Sequence, residues 1–511
     1  MSSHPELLNP DKRQRADDAH LRALGYEPKF DRKINLLANF ALGFLYLSPM
    51  VGVVALFGLG MTQAGPPSMF WIIIVGLGML TVALVFGEVV SQFPIAGGLY
   101  QWTRRLWNGR AAWWMSWIYI GCITIGITTT ALFSSGFVAS LFFGTPDAPS
   151  VTADPLQTLV ITLAVIGIGL LFNLRGSKTL AKISQIGLAG ELIGIVGVGL
   201  YLIIFQRKQD FSVFFDSMGA GGGTSYLTLF IGASLVGLYM FYGFEACGEV
   251  AEETPNPARS IPRSMMMTVT IGGVAAIFAF AGYVLAAPNL REIVSGEDEN
   301  PIPTILQSSL GTVGMKIFLV IILISFLAGV MGQQTAVSRL VYSFARDNMF
   351  PGSHLFAKTG KNSHVPVNAL LLVNILPVLI TIYVFFSPDS LFRIAAFQVL
   401  AGYFAFAIVV FAALRARFNG WKPAGVFSLG RWGTVVNIIA LCYLLAGMLI
   451  LGKPDLSKPD APWYDQWIAL IGFLVVAVSG LLYLLIAKPD RASTAPQGDA
   501  VEVANKLRQM A

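Results

Sequence analysis

Charged residues are scarce in this sequence. Asp, Glu, Lys and Arg account for 12% of its 511 residues, about half of the roughly 25% found in soluble domains. Several apolar stretches of about 20 residues carry no charge, and a helix of that length crosses a bilayer. The sequence therefore predicts an all-α polytopic membrane protein whose first partner is the lipid bilayer, so its length gives no count of soluble domains.

Metal-binding and catalytic motifs are also missing from the sequence. Its three cysteines, Cys122, Cys247 and Cys442, lie far apart in apolar stretches and form no CxxC pair. The four histidines fall in tail or loop sequence. No HExxH, GxSxG or Walker-type phosphate loop occurs. We therefore expect no metal site, no cofactor and no enzyme activity.

We expect no signal peptide in this sequence, because its first 33 residues are polar and contain no short apolar stretch. Most of the 34 lysines and arginines fall in alternate connecting segments, together with both termini. Since cytoplasmic loops carry an excess of Lys and Arg, we expect a cell (cytoplasmic) membrane protein with both termini in the cytoplasm. The net charge of +6 then encodes orientation, and nucleic acid is not an expected partner.

The apolar stretches predict twelve transmembrane spans, numbered here in chain order. They cover Asn35–Met61, Met69–Phe93, Ala111–Phe143, Leu156–Asn173, Leu180–Phe205, Leu227–Val250, Ser264–Ala287, Val313–Phe344, Val367–Phe386, Phe392–Leu414, Gly433–Leu451 and Trp467–Ala487. Five spans per unit place a second unit in inverted orientation. The predicted organisation is an N-terminal tail (1–34), two five-helix repeats (35–205 and 225–415), two further helices (431–487) and a C-terminal tail (488–511).

Two spans carry signals for a break near the middle of the membrane. In span 1, Pro49 lacks an amide hydrogen and disfavours helix at Ser48, and Gly52 follows. In span 6, an uncharged stretch meets Gly243 and then Glu245. Paired interruptions in two halves indicate a transporter site, where half-helix N-termini attract a carboxylate and freed carbonyls attract an ammonium group. The alternative is a pair of kinked packing helices.

Three acids within the predicted spans are candidates for coupling or gating. Glu245 is interpreted as a gate, a substrate contact or a proton site, since inserting an acid at a helix centre costs roughly 3 kcal/mol. Glu191 in span 5 has no base nearby in sequence and could take up a proton. Glu88 lies in the inner half of span 2. The alternative for each is a structural acid whose hydrogen bonds are satisfied.

Aromatic residues surround the predicted break in span 6. Tyr239, Phe241, Tyr242 and Phe244 could close over a ligand or stack on its cation, or they could pack in the core. Trp117 in span 3 is a further candidate to reach the site.

The turn after span 6 is acidic and proline-rich. Glu252 and Glu253 belong either to a rigid loop or to an inner gate of ion pairs with Arg339, Arg346 and Asp347 at the end of span 8.

The chain resembles the amino acid–polyamine–organocation superfamily of secondary transporters over roughly residues 35–490. GEVVSQFPIAGGLYQW (Gly87–Trp102) is similar to the family's signature after helix 2, and GFEACGEVAEETPNPARSIPRSM (Gly243–Met265) to its helix 6 exit. SRLVYSFARDNMFP (Ser338–Pro351), followed by HVPVNAL (His364–Leu370), resembles the segment between its helices 8 and 9. The Ala64-Gly-Pro-Pro67 turn resembles the amino acid/choline branch, which includes GABA permeases.

The resemblance implies a five-plus-five inverted repeat with two extra helices, and a site between helices 1, 3, 6, 8 and 10. The implied helix 1 loop runs from Ser48 to Gly52. The implied unwinding of helix 6 falls at residues 240–242, with Tyr239 as the gating aromatic. The predicted substrate-binding residues are Ser48, Pro49, Met50, Val51, Gly52, Tyr239, Met240, Phe241, Tyr242, Gly243 and Glu245.

The chain departs from the family at two places. Many members carry a Gly-Ser-Gly-like triplet in helix 1, where this chain has Ser48-Pro-Met-Val-Gly52, which leaves room for GABA, an amine or choline. Some proton-coupled members place a lysine in helix 5, where Glu191 is the nearest ionisable residue here.

The resulting hypothesis is a secondary transporter of amino acids or related amines such as GABA, working by alternating access, with proton coupling or exchange. The alternatives are a transporter-like nutrient sensor that binds amino acids, which the short tails disfavour, and a permease for choline or polyamines.

Overall fold

The computed structural model describes residues 10–28, 30, 32–220, 225–360, 365–387, 390–453 and 462–510. Residues 1–9 of the predicted N-terminal tail, His364 of the third motif and residues 454–461 before the last span lie outside this part of the chain.

The described chain is helical and contains no strand. The helices of the first part are α1 (Pro10–Ala23), α2 (Leu36–Leu47), α3 (Pro49–Ala64), α4 (Phe70–Gln92), α5 (Gly98–Leu106), α6 (Gly109–Phe143), α7 (Pro155–Leu174), α8 (Ser177–Leu192) and α9 (Gly199–Phe205). Those of the middle part are α10 (Tyr226–Gly232), α11 (Leu235–Leu238), α12 (Ala246–Glu249), α13 (Pro257–Ala286), α14 (Leu290–Ser295), α15 (Pro301–Arg346) and α16 (Ser353–Phe356). The last part contains α17 (Val367–Leu372), α18 (Ile375–Phe386), α19 (Leu391–Phe418), α20 (Gly433–Leu451), α21 (Trp463–Gln466), α22 (Ile468–Ala487), α23 (Pro489–Ala492) and α24 (Ala500–Met510).

Within the described residues, 11 helical stretches are long and apolar enough to cross a membrane. They confirm the predicted class of polytopic all-α membrane protein. The predicted span 6 is not among them, because it is divided into α10, α11 and α12. The inverted repeat and the domain boundaries stay predictions.

The outer surface of the bundle is apolar, as a lipid environment requires. Leu77, Leu171 and Leu449 project from different helices with 65%, 64% and 72% of their surface exposed. Bilayer lipids have no hydrogen-bond donors in their acyl region, so such side chains are stable there. Inside, α6 packs along α15 and α19, and α13 packs along α4. These helices form the frame around the two interrupted ones.

The first interruption is a single residue. Ser48 adopts a left-handed conformation (φ 41°) between α2 and α3, and its hydroxyl accepts a hydrogen bond from Val51 N–H at 3.4 Å. Pro49 suits the first position of α3, where its missing N–H removes no helical bond. The predicted loop from Ser48 to Gly52 is therefore wrong in extent, because residues 49–52 already form the first turn of α3.

The second interruption is longer. Between the end of α11 at Leu238 and the start of α12 at Ala246, residues 239–245 are not helical. Gly243 has φ 118°, a conformation that favours glycine. A Cβ there would lie 2.8 Å from Leu47 N and from Tyr46 C at the end of α2. The two breaks therefore contact each other through backbone atoms.

Candidate functional site

A small cavity lies where the two breaks meet. The centre of a water-sized sphere can reach about 10 Å³ of it, roughly the space that one water molecule needs, so the two breaks pack closely in this conformation. Its walls come from the breaks and from α6, α15 and α19. The lining residues are Tyr46, Leu47, Ser48, Val51, Thr130, Tyr239, Tyr242, Gly329, Gln333 and Gln398.

Two buried glutamines line one wall of the cavity. Gln333 donates through Nε2 to Thr130 Oγ1 at 2.9 Å, while its Oε1 has no hydrogen-bond partner among the described residues. Gln398 accepts from Thr129 Oγ1 at 2.6 Å. Gln333 Oε1 and Gln398 Nε2 both lie within 3.0 Å of the point where a Cβ on Gly126 would stand. The lack of a side chain at Gly126 therefore lets both amides approach α6.

Three tyrosines also line the cavity. The Tyr46 hydroxyl donates to the Tyr242 hydroxyl at 3.3 Å, and Tyr242 lies 2.8 Å from the Cys122 sulfur. Tyr239 is within hydrogen-bond distance of Thr129 (3.3 Å) and packs edge-on against Phe133, with ring centroids 5.9 Å apart. The cavity therefore presents aromatic faces and hydroxyls, and none of its lining side chains is charged.

Four of the predicted site residues line the cavity: Ser48, Val51, Tyr239 and Tyr242. The others lie behind them. Phe241 points toward α4 and α13, and Met240 packs against Gly52, whose added Cβ would be 3.0 Å from Met240 Cγ. The predicted residues outside the lining are Pro49, Met50, Gly52, Met240, Phe241, Gly243 and Glu245.

Glu245 is not among the residues that line the cavity. Its Oε1 accepts a hydrogen bond from the Tyr119 hydroxyl, and its Oε2 accepts from Gly243 N–H at 3.1 Å. The side chain is fully buried. Both oxygens therefore have donors, and the carboxyl group connects the unwound segment to α6.

Glu191 reaches the break between α2 and α3 from α8. Its Oε1 accepts from Ser48 Oγ at 2.8 Å and from Met50 N–H at 3.1 Å. Its Oε2 has no partner among the described residues, although the side chain is fully buried. A π-helical turn, Ile193–Val198, follows directly, and such turns are frequent at functional sites.

The other two coupling candidates lie away from the cavity. Glu88 forms an ion pair with Arg417 and accepts a hydrogen bond from Leu429 N–H at 2.8 Å. Trp117 packs in a cluster of three rings with Trp113 and Tyr483, at centroid distances of 5.3 and 6.1 Å. The structure therefore does not bring either residue to the predicted site.

Sequence reasoning missed most of the polar lining. Thr130 ends a run of three threonines, Gln333 is followed by Gln334 and Thr335, Gln398 has apolar neighbours, and Tyr46 precedes the predicted loop. The available signal was the cost of placing an amide in a bilayer, because polar residues inside spans face the bundle interior. A search for glutamines in spans 8 and 10 would have found two of these four lining residues, Gln333 and Gln398, together with Gln334.

The face of the bundle that carries α1 and α24, here the terminal face, is covered by ion pairs. Glu252 pairs with Arg346 at 3.4 Å and Glu253 with Arg339 at 3.7 Å, as the acidic turn predicted. Asp347 instead accepts hydrogen bonds, including one from Tyr100 at 2.9 Å.

The N-terminal segment adds a further layer to this closure. The Arg346 guanidinium lies 4.6 Å from the centre of the Tyr26 ring, and the Tyr26 hydroxyl donates to Gln101 at 3.1 Å. Burial, followed by the nearby Asp347 carboxylate, raises the pKa of Tyr26 to about 12, so this hydroxyl keeps its proton at neutral pH. The closure of the terminal face therefore joins α15, the acidic turn and the N-terminal segment.

Reversing the charge at Arg346 is expected to open the terminal face. Arg346→Glu places a carboxylate beside Glu252, and breaking a buried pair costs about 3–5 kcal/mol. In a background where Cys122 is the only cysteine, we expect its alkylation rate to rise at least ~10-fold, because Cys122 is buried beside the cavity. The measurement is alkylation by a membrane-permeant maleimide.

The double variant Glu252→Arg/Arg346→Glu restores opposite charges and should return the alkylation rate of Cys122 toward that of the protein with the original pair. Lys358→Glu, which makes the same change at an exposed position, should leave it unchanged. An unaltered rate in Arg346→Glu would show that the pair does not hold the face closed.

Known proteins resemble this chain over nearly its whole length. The family model described as amino acid permease matches residues 37–486. The amino-acid permease BAT1 of Arabidopsis thaliana is 24% identical over 499 residues, covering 91% of this chain and 93% of BAT1. A putative polyamine transporter of Candida albicans is 22% identical over 508 residues, covering 96% of this chain and 90% of its own length. An uncharacterized amino-acid permease of Schizosaccharomyces pombe is 25% identical over 499 residues, covering 93% of this chain and 87% of that permease.

Proposed function

The chain belongs to the amino acid permease family and is a multi-pass membrane transporter for amino acids or amines, and from this premise we propose how it works. It is a secondary transporter that binds one small amine or amino acid, GABA included, in the cavity between its two interrupted helices. Alternating access carries the substrate across, with helices α2, α3, α4, the α10–α12 segment and α13 rocking against the remainder.

The observation that supports this proposal best is the meeting of two broken helices around a covered cavity. Breaks at membrane depth are tolerated where they line a cavity, and binding sites of secondary transporters lie at such breaks. Ion pairs cover the cavity toward the terminal face, while Tyr239 and Phe133 cover it on the other side. Opening each cover in turn would give access from each side of the membrane.

The terminal face is proposed to lie in the cytoplasm, in a cytoplasmic membrane. Arg104, Arg105, Arg339 and Arg346 are all on this face, and cytoplasmic segments carry an excess of basic residues.

Uptake into proteoliposomes tests the transport proposal. The purified full chain, reconstituted with an imposed pH gradient, should accumulate at least one of labelled GABA, lysine, putrescine or choline above the level in protein-free liposomes. Binding of a probe without any flux in either direction would favour the sensor alternative over transport.

Proton coupling is proposed to act through Glu191. A buried carboxyl group with one oxygen that has no hydrogen-bond partner among the described residues is costly when charged, so it is suited to exchanging a proton during the cycle. Glu191→Gln keeps an acceptor oxygen for Ser48 and Met50 but cannot ionise. We expect accumulation driven by a pH gradient to fall at least ~10-fold at saturating substrate, while exchange without a gradient continues.

The matched control is Glu297→Gln, which makes the same change in an exposed loop and should leave both activities unchanged. Undiminished gradient-driven accumulation in Glu191→Gln would remove Glu191 from the coupling mechanism.

A further inference from the structure

The N-terminus of α3 borders the cavity, yet its donors are already used. Pro49 has no N–H, Met50 N–H donates to Glu191 Oε1 at 3.1 Å, and Val51 N–H donates to Ser48 Oγ at 3.4 Å. Gly52 N–H donates to the Ser48 carbonyl at 3.0 Å. The first N–H groups of a helix are the ones that bind anions. In this chain the first turn leaves no free donor for a substrate carboxylate.

Glu191 supplies the anion at this helix terminus. The same Oε1 accepts from Met50 N–H and from the Ser48 hydroxyl, which is the arrangement that a bound carboxylate would form. The side chain is fully buried, and its second oxygen is unpartnered among the described residues. The partial positive charge of the α3 N-terminus is therefore met by a carboxyl group of the protein.

The other side of the break presents acceptors. In a continuous helix, Met50 and Val51 N–H would donate to the carbonyls of Tyr46 and Leu47, but here they donate to Glu191 and Ser48. These carbonyls form the negative end of α2, and both residues line the cavity. An ammonium group is the natural partner of freed carbonyls at such a break.

The remaining walls also favour a cation. Gln333 Oε1 is a buried acceptor that has no partner among the described residues, and the rings of Tyr46, Tyr239 and Tyr242 present faces on which an ammonium group can stack. No lysine or arginine is among the lining residues. A substrate carboxylate would thus be desolvated without a cation, at considerable cost.

We propose that the substrate is an amine that carries no carboxylate, and that Glu191 takes the position of the carboxylate that an amino acid would provide. This inference rests on the proposed transport function and names its substrate class. It makes Glu191 a specificity-determining residue: its charge fills the anion site and leaves the cation site to the substrate.

Matched pairs of probes that differ only in a carboxylate test this inference. Putrescine is ornithine without its carboxylate, and cadaverine is lysine without its carboxylate. Binding of all four to the purified full chain is measured by isothermal titration calorimetry. We expect each diamine to bind the wild type at least ~10-fold more tightly than its amino acid.

Glu191→Ala should reverse this order, because it releases the donors at the α3 N-terminus. Ornithine and lysine are then expected to gain affinity, and added acetate should restore binding of the diamines by refilling the vacated anion site. Glu297→Ala is the control and should preserve the wild-type order. If Glu191→Ala strongly lowers the unfolding temperature of the protein, Glu191→Gln is measured instead. For that variant we expect the affinity for each diamine to fall at least ~10-fold.

Two results would overturn the inference while leaving the transport function intact. One is ornithine or lysine binding to the wild type as tightly as its diamine, with uptake into proteoliposomes. The other is an unchanged order of affinities in a folded Glu191→Ala protein or, where Glu191→Gln replaces it, a diamine affinity equal to that of the wild type. Absence of both binding and uptake for every probe would contradict the proposed function itself, and this inference with it.

Discussion

Gly243→Ala is expected to abolish substrate binding and to lower the unfolding temperature. Gly243 has φ 118°, where an L-residue is strained by about 1–3 kcal/mol. The added Cβ would also lie 2.8 Å from backbone atoms of Tyr46 and Leu47. Because backbone cannot rotate away as a side chain can, relief requires α2 to move, and overpacking of this kind costs about 1–3 kcal/mol more.

The movement matters for function because α2 ends at the cavity. Tyr46 and Leu47, the residues that would be displaced, both line it. We therefore expect affinity for any bound amine to fall at least ~100-fold, since displacements of about 1 Å at a site have effects of that size. Calorimetric binding and the unfolding temperature are the two measurements.

Gly167→Ala is the matched control. Gly167 lies in α7 with no neighbouring atom within 4 Å of an added Cβ, and Ala is favoured over Gly inside a helix by about 0.5–1 kcal/mol. This variant should be as stable as the wild type or slightly more so. A Gly243→Ala protein with wild-type binding would show that the contact between the two breaks is not required.

The positions of both breaks were predictable from local chemistry. Pro49 cannot donate a backbone hydrogen bond, and Gly243 permits a backbone conformation that other residues avoid. Each residue therefore favours a helix break regardless of its neighbours. The length of the first break was not predictable in the same way. Ser48 and Pro49 serve as cap and first residue of α3, so one residue is enough to divide the helix.

The contacts that decide the chemistry of the cavity could not be predicted from sequence. Glu191 and Met50 are 141 positions apart, and their hydrogen bond depends on how α8 packs against the first break. Gln333 and Gln398 carry no helical periodicity that would assign them to a common wall. Sequence indicated which residues are costly in a membrane, whereas packing determined which partner satisfies each of them. The substrate-binding role of every predicted site residue stays a prediction.

Glu88→Gln is expected to destabilise the protein by about 3–5 kcal/mol, because it leaves Arg417 buried without its carboxylate. Glu88 is fully buried and its ion pair with Arg417 connects α4 to α19. The same carboxylate accepts from Leu429 N–H at 2.8 Å, and Arg417 also lies over Trp421 at 5.3 Å and donates to Asn437. The group therefore joins α4, α19 and the segment before α20.

Removing both charges should destabilise the protein less than removing one of them. In Glu88→Gln/Arg417→Met no buried charge is left uncompensated, and replacing a buried ion pair with uncharged side chains is often close to neutral. We expect the double variant to recover most of the stability that either single variant loses, as measured by reversible unfolding of all four proteins in mixed micelles. Because Glu88 and Arg417 contact each other directly, the cycle reports their coupling. A double variant no more stable than Glu88→Gln would mean that the backbone hydrogen bond to Leu429, and not the charge of Arg417, is what requires a carboxylate at this position.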